Sequence, residues 1–233
     1  MNDALHSRHF PGESDGYRRA RNELLRAELE LKERVEEIAA MRRDLPAGGI
    51  VPEDYIFDEG VRDFRDTQTI SQVKLSELFE ADKPTLVLIN TMFEPDAEVP
   101  CPMCNMWADG YDAAASHLSD RINFALITKA DIKKLRAWAA ARGWRDIRLL
   151  SSRNNHFNRD YHTESDRGQL PAITVFHRDA SGEIRHSYSI EAHFVPCEGD
   201  PRHIDLYSPV WNLLDLTPEG RGDDWYPALS YPR

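Results

Sequence analysis

The sequence has no long apolar run and only three cysteines in 233 residues. A helix that crosses a bilayer needs about 20 consecutive apolar residues, and no segment approaches that length. The first 16 residues also lack the apolar core of a secretory signal, so we expect a soluble protein of a reducing cytoplasm. Structural disulfides are rare in that compartment. The cysteines are therefore expected to serve redox chemistry or metal binding.

Several catalytic signatures are missing as well. The chain has no glycine-rich phosphate loop, no Gly-x-Ser-x-Gly elbow and no His-Glu-x-x-His zinc helix. It carries 29 basic and 40 acidic residues, which gives a formal net charge of −11. An acidic body repels phosphate backbones, so nucleic acid is not an expected partner. We expect neither a nucleic-acid-binding protein nor a membrane protein.

Residues 1–49 are predicted to form a loose tail followed by an amphipathic helix. Residues 15–43 contain no proline and are rich in Glu, Arg, Leu and Ala, which are strong helix formers. Apolar side chains recur there at intervals of seven, at Tyr17, Leu24, Leu31, Ile38 and Leu45. This stripe predicts one continuous helix whose two central leucines and isoleucine are buried. They are expected to lie either on the main domain or against a second copy, in a homodimer.

Residues 50–233 show the pattern of an α/β domain with a carboxy-terminal extension. The predicted order is a strand, a cysteine-bearing loop, a helix, a second strand, a second helix, a hairpin and a final helix. Strand–helix–strand units give parallel neighbours, and a closing hairpin gives an antiparallel edge. This is the order of a thioredoxin-like fold, a mixed sheet flanked by helices. The main strands are expected at residues 85–90, 122–127, 171–176 and 184–190.

The candidate active site is Cys101-Pro102-Met103-Cys104, between a buried strand and a helix. Exposed N–H groups and the macrodipole at a helix amino terminus stabilise a thiolate. Pro102 suits the first helical position, because its missing N–H would have been unpaired there. We expect Cys101 to attack and Cys104, more covered, to resolve. The pattern favours a thiol–disulfide oxidoreductase or a thiol peroxidase-like enzyme that needs no cofactor and acts on a small thiol, disulfide or peroxide.

The same thiols allow a second hypothesis. His193 and Cys197 lie in one short segment after the hairpin, and with Cys101 and Cys104 they make a set of three cysteines and one histidine. Such ligands suit zinc or Cu(I), so the alternative is a metal-binding protein or a copper-dependent enzyme. Cys197 as an unpaired loop thiol and His193 as a surface residue remain an open alternative. A third hypothesis is an interaction module that assembles through its amino-terminal helix.

Several stretches of the sequence match one known pattern. They are Val73-Lys74-Leu75-Ser76-Glu77-Leu78-Phe79, Met92-Phe93-Glu94-Pro95-Asp96, the two cysteines with Trp107-Ala108-Asp109, Leu170-Pro171-Ala172-Ile173-Thr174-Val175-Phe176, His186-Ser187-Tyr188-Ser189 and Asp215-Leu216-Thr217-Pro218-Glu219-Gly220-Arg221. The chain from Val73 to Leu216 resembles, on these stretches, a bacterial thioredoxin-like family known as domain of unknown function 899.

The resemblance implies a thioredoxin- or peroxiredoxin-like architecture. In it Pro171 would take the place of the cis-proline that faces the thiols. Because Pro171 also precedes the closing hairpin, we expect it to be cis and to lie near Cys101. The chain differs from ordinary thioredoxins in the longer loop between Asn90 and Cys101 and in the Pro-Met dipeptide between the cysteines. We expect the loop either to cover the site or to displace Cys101.

Overall fold

The computed structural model describes residues 5–66, 68–80, 82–196, 202–222 and 224–232, and two units divide between Pro46 and Ala47. The first unit contains helix α1 (Asp15–Arg43), which confirms the predicted single helix. The Ser14 side chain caps its amino end by accepting a hydrogen bond from the N–H of Tyr17 at 3.2 Å. No helix in these ranges is long and apolar enough to cross a bilayer.

The apolar stripe of α1 is not buried as predicted. Leu24 and Leu31 are 52% and 64% exposed, and Ile38 is half-buried. The prediction is therefore wrong for the two leucines within the single chain. The intervening Ala27 and Arg34 add little apolar area, so the stripe is narrow. Burial against a second copy stays a prediction.

The second unit is built on a seven-stranded sheet and a separate two-stranded ribbon. In chain order its elements are β1 (Ile56–Gly60), β2 (Ile70–Lys74), β3 (Thr85–Asn90), α2 (Pro102–Arg121), β4 (Asn123–Thr128), α3 (Ile132–Arg142), β5 (Arg148–Ser151), α4 (Phe157–Asp160), β6 (Glu164–Ser165), β7 (Gly168–Gln169), β8 (Ala172–Arg178), β9 (Ile184–Ser189) and α5 (Pro209–Leu214). Short 3-10 helices span Leu75–Leu78, Glu191–Phe194 and Arg202–Tyr207.

The strand order in the large sheet is β2-β1-β5-β4-β3-β8-β9. Strand β4 pairs in parallel with β3 and β5, whereas β8 is antiparallel to β3 and to β9. The portion β4-β3-β8-β9, with the cysteine-bearing helix after β3, has the predicted thioredoxin-like order, and this fold class is confirmed. The antiparallel pair β1–β2 extends the sheet beyond β5.

The two faces of the sheet carry separate apolar cores. On β4 all six residues are buried, as expected for a central strand covered on both sides. Leu126 belongs to the core that includes Leu135 of α3, and its neighbour Ile127 belongs to the other core with Phe157. Successive side chains of the strand therefore pack into opposite cores, one on each face of the sheet. Helix α2 follows β3 in the chain, so the loop with the first cysteine leaves the sheet at the carboxyl end of β3.

Candidate active site

The long loop between β3 and α2 returns to the point where it leaves the sheet. The N–H of Cys101 donates to the carbonyl of Met92 at 2.9 Å. From α3, Lys134 donates to the carbonyls of Pro95, at 3.3 Å, and Ala97. The extra residues thus form a loop whose two ends, Met92 and Cys101, are joined by a backbone hydrogen bond. The backbone of Cys101 is therefore hydrogen-bonded beside the end of β3, and covering of the site or displacement of Cys101 by the loop stays a prediction.

The two cysteines take the predicted positions around the first turn of α2. Cys101 is the residue that caps the helix and is half-buried, and Pro102 is the first helical residue. Cys104 is one turn further in and only 4% exposed. Both are free thiols. Behind Cys104 lies a cavity of about 10 Å³, which it shares with Asn105 and other side chains.

The two thiols differ strongly in acidity. A hydrogen bond from the Cys104 thiol lowers the pKa of Cys101 from 9.0 to about 6, with further help from the N–H of Cys104, the Tyr226 hydroxyl and the N–H of Met103, and burial opposes this. The pKa of Cys104 is raised well above its ordinary value by its hydrogen bond to Cys101, by burial and by the charge of the Cys101 thiolate. The arrangement therefore provides one thiolate and one protonated thiol at neutral pH.

Tyr226 is a site residue that the sequence analysis did not find. Its hydroxyl lies 3.9 Å from the sulfur of Cys101. Burial, followed by the charge of the Cys101 thiolate and its hydrogen bond, raises the pKa of Tyr226 to about 12, so the hydroxyl keeps its proton and donates to the thiolate. The sequence feature that could have indicated this residue is the aromatic pair Trp225-Tyr226 within a polar carboxy-terminal segment.

Two anchors hold the segment that carries this tyrosine. Arg142 of α3 donates to the carbonyl of Leu229 and is itself held by Asp109 of α2, with a distance of 2.9 Å from Nε to Oδ1. Trp225 packs edge-to-face on Trp211 with their ring centroids 5.1 Å apart. The carboxy-terminal segment is therefore tied to the same two helices that flank the thiols and to α5.

A family model described as bacterial protein of unknown function (DUF899) matches residues 7–231. The chain belongs to this family. The resemblance noted in the sequence is thereby confirmed. A comparison with curated proteins gives no significant match.

Solved structures with a similar fold include three peroxiredoxin-type chains. The Plasmodium falciparum antioxidant protein, a 1-Cys peroxiredoxin, is 16% identical, with a TM-score of 0.47 over 62% of this chain and 83% of that one. Enterococcus faecalis AhpC is 12% identical, with a TM-score of 0.46 over 78% of this chain and 98% of that one. A peroxiredoxin-like protein from Aquifex aeolicus is 12% identical, with a TM-score of 0.40 over 63% and 75%. Similarity at this level carries no information about activity.

In this DUF899 protein the Leu170–Pro171 peptide bond is trans, so the predicted cis isomer is wrong. The carbonyl of Leu170 accepts a hydrogen bond from Nδ2 of Asn90 at 2.5 Å. Asn158 in turn donates to Oδ1 of Asn90 at 2.8 Å, and both asparagines are buried. This network fixes the chain entering β8. Ala172 pairs with Asn90 at the end of β3, so Pro171 is at the same sheet end as Cys101, and its role there stays a prediction.

The metal alternative is not supported by the part of the chain that the structure describes. There, no three His, Cys, Asp or Glu side chains converge as metal ligands. Cys197 and the side chain of His193 lie outside the described residues. Cys101 and Cys104 supply only two thiols, so a closed site would need those two further ligands. The four-ligand set stays a prediction.

Proposed function

We propose that this DUF899 protein is a dithiol redox enzyme in which Cys101 attacks a small oxidised substrate and Cys104 resolves the product. The observation that carries the proposal is the pairing of Cys101, an acidic and half-buried thiol, with Cys104, a buried thiol that donates a hydrogen bond to it. With a pKa of about 6, roughly nine-tenths of Cys101 is thiolate at pH 7. Thiolate, not thiol, is the nucleophile.

The first step consumes a disulfide. The Cys101 thiolate attacks one substrate sulfur, a bond forms between these two sulfurs, and the substrate's own S–S bond breaks. The second substrate sulfur leaves with the bonding electron pair as a thiolate. Tyr226 and the helix N–H groups hold the Cys101 charge before the attack and release it as the new bond forms.

The second step depends on how the acidity of Cys104 changes. In the reduced protein, its hydrogen bond to Cys101 and the charge of Cys101 both raise the pKa of Cys104. Both effects end once Cys101 is bound to the substrate, so only burial still opposes ionisation. Cys104 then loses its proton to the departed thiolate and attacks the Cys101 sulfur, so that the mixed disulfide breaks and the second substrate sulfur leaves as a thiolate. The products are a Cys101–Cys104 disulfide, one substrate thiol and one substrate thiolate.

A hydroperoxide enters the same scheme. Cys101 takes the terminal oxygen, the O–O bond breaks and an alcohol or water leaves, so that Cys101 becomes a sulfenic acid. Cys104 attacks this sulfur, the disulfide forms and water leaves. Two electrons pass from the dithiol to either substrate, and an external dithiol must return them. The half-buried position of Cys101 beneath Tyr226 favours substrates of small size.

The test uses the full chain, reduced and then freed of reductant, after its metal content has been measured. Titration with glutathione disulfide and, separately, with hydrogen peroxide should remove two thiols per chain, and mass mapping should find the Cys101–Cys104 disulfide. Cys104→Ser should stop at a mixed disulfide on Cys101, and Cys101→Ser should not react. The oxidant with the larger rate constant identifies the substrate class.

Two outcomes would refute the redox proposal. One is a stable thiol count after both oxidants in the metal-free protein. The other is one equivalent of zinc or copper that protects both thiols and returns after reduction and dialysis, which would favour the metal hypothesis. Retained redox cycling in Cys101→Ser would show that the attacking thiol is assigned wrongly.

A further inference from the structure

A second site is suggested by a cavity of about 280 Å³ beside β1, β5 and α3. Its charged lining comprises four arginines and two acidic residues, namely Arg62, Arg136, Arg145, Arg148, Glu59 and Asp146. A cavity of about 500 Å³ shares Arg62 and Arg145 with it. The chain as a whole has a net charge of −11, so the positive charge of this lining is opposite in sign to the charge of the protein.

Arg136 is a cation buried at this cavity without an ion pair. It is 1% exposed, and it donates only to backbone carbonyls: Nη2 to Asp63 and to Asp66, each at 2.7 Å, and Nε to Asp66 at 3.2 Å. Among the described residues, Nη1 donates no hydrogen bond and no carboxylate lies within 4 Å of the guanidinium, and Nη1 is not one of the fully enclosed unsatisfied atoms. Burial lowers the pKa of Arg136. A buried charge is normally paired, because its desolvation is costly.

The carboxylates nearest to Arg136 already bind other groups. Glu59 accepts two hydrogen bonds from Arg148, at 2.5 and 2.9 Å. The Asp63 carboxylate is bound by Arg65 at 2.9 and 3.0 Å, and the Asp66 carboxylate accepts from the backbone and the hydroxyl of Thr69. They attract Arg136 at longer range but leave its free donors unpaired.

The backbone of β1 is shaped to admit this guanidinium. A Cβ atom on Gly60 would lie 2.3 Å from Nε and 2.5 Å from Cζ of Arg136. Only glycine leaves that space, so the position of the guanidinium depends on the absence of a side chain at Gly60. The ring of Phe64 lies 5.4 Å from Cζ of Arg136 and also lines the cavity. The cation is thus held in a defined place at the cavity wall.

We propose that this cavity binds a dianionic phosphate group, as free phosphate or as a phosphomonoester. The fork of donors on arginine matches the oxygens of phosphate, and a buried, incompletely paired guanidinium gains a partner when the anion binds. Arg62 and Arg145 are exposed residues of the same lining and would approach the remaining oxygens, and Arg62 lies 3.7 Å from the Asp146 carboxylate. Neither Cys101 nor Cys104 lines this cavity, so the proposed site is separate from the thiol pair.

The test is calorimetric titration of the reduced full chain with inorganic phosphate at constant ionic strength, with acetate as the monoanion control. We expect saturable binding of one phosphate per chain and no saturable binding of acetate. Arg145→Glu should weaken phosphate binding by at least about tenfold, the effect of one charge-assisted contact. Arg167→Glu makes the same charge change at an exposed turn outside the cavity, and it should leave the affinity unchanged.

A parallel titration with glycerol phosphate distinguishes the two sources: tighter binding than phosphate identifies an organic phosphate, and weaker binding identifies the free ion. Arg136→Lys, which keeps the charge but loses the fork, should also weaken binding. If that variant does not fold, Arg145→Glu with Arg62→Glu decides the question. Absence of saturable phosphate binding, or an equal loss in Arg167→Glu and Arg145→Glu, would overturn the proposal.

Discussion

The hydroxyl of Tyr226 lies 3.9 Å from the sulfur of Cys101, although 125 positions separate the two residues in the chain. The carboxy-terminal segment therefore supplies part of the environment of the thiolate. Cys104 and the helix N–H groups approach Cys101 from within α2, and Tyr226 approaches it from another segment. The acidity of Cys101 thus depends on tertiary structure as well as on the two-cysteine motif.

The pH dependence of alkylation should report the acidity of Cys101. In the reduced, metal-free protein we expect its iodoacetamide labelling rate to rise to half its maximum near pH 6, because the thiolate forms as pH rises through that pKa. Cys104 should label more slowly at every pH up to 8, because its pKa is raised and it is buried. Mass mapping of each cysteine over time measures both rates. Faster labelling of Cys104 or Cys197 would contradict the assignment of Cys101 as the nucleophile.

Tyr226→Phe should raise the pKa of Cys101 without abolishing its reactivity. The Tyr226 hydrogen bond stabilises the thiolate less than the hydrogen bond from Cys104 does, so Cys104→Ala should move the half-maximal pH further than Tyr226→Phe. At pH 6, alkylation of Tyr226→Phe should be about two- to fivefold slower than in the wild type, and at pH 9 the rates should be similar. Tyr17→Phe, at an exposed tyrosine of α1, is the control. Equal shifts in the two tyrosine variants would rule out a specific role for Tyr226.

Asn90→Asp should destabilise the fold in a pH-dependent way. The substitution replaces the NH₂ group that donates to the Leu170 carbonyl with an oxygen, so two acceptors face each other at 2.5 Å. We expect a loss of about 3 kcal/mol in the free energy of unfolding at pH 7. The loss should shrink as the pH falls, because burial raises the pKa of the new carboxyl and its protonated form can donate.

Urea denaturation at pH 5 and pH 7 measures the effect of Asn90→Asp. Asn90→Leu serves as the control, because it removes the same donor without adding a titratable group, and its loss should not depend on pH. A loss that is the same at both pH values would mean that the buried amide is not the donor. A loss below about 1 kcal/mol in both variants would mean that the Asn90 network does not hold the segment before Pro171.

The order of strands and helices and the place of the two cysteines could be predicted from the sequence, because they depend on local apolar runs and on turn residues. Thr85–Asn90 is one such run. The position of Tyr226 could not be predicted, since it depends on a long-range anchor through Arg142. The isomer of the Leu170–Pro171 bond was predicted wrongly, because no local sequence pattern reports it. Asn90, at the end of an apolar run, contacts residues about 70–80 positions later, and no periodicity reports that contact.

We expect two copies of the chain to associate through the apolar stripe of α1. Leu24 and Leu31 are exposed on a 29-residue helix, and paired stripes of this spacing form coiled coils. We expect a dimer by light scattering after size exclusion, and a monomer for Leu24→Glu with Leu31→Glu. Lys32→Glu with Glu36→Lys changes an exposed pair elsewhere on the helix and should leave the dimer intact. Because dimerisation depends on protomer concentration, a wild-type chain that stays monomeric at about 100 µM would reject the homodimer.

Arg142→Ala should release the carboxy-terminal segment and open the thiol site. Arg142 joins the Asp109 carboxylate on α2 to the carbonyl of Leu229, so its loss removes one of the two anchors that place Tyr226. At pH 9, where Cys101 is ionised with or without the tyrosine, a bulky maleimide should react several times faster with the variant, whereas iodoacetamide should show little change. At pH 6 iodoacetamide should react more slowly, because losing the Tyr226 hydrogen bond raises the pKa of Cys101. Arg145→Ala removes an exposed arginine that makes no hydrogen bond to this segment among the described residues, and it provides the matched control. A faster maleimide reaction in both variants would trace the effect to lost charge rather than to the released segment, and an unchanged rate in Arg142→Ala would show that the segment does not limit access to Cys101.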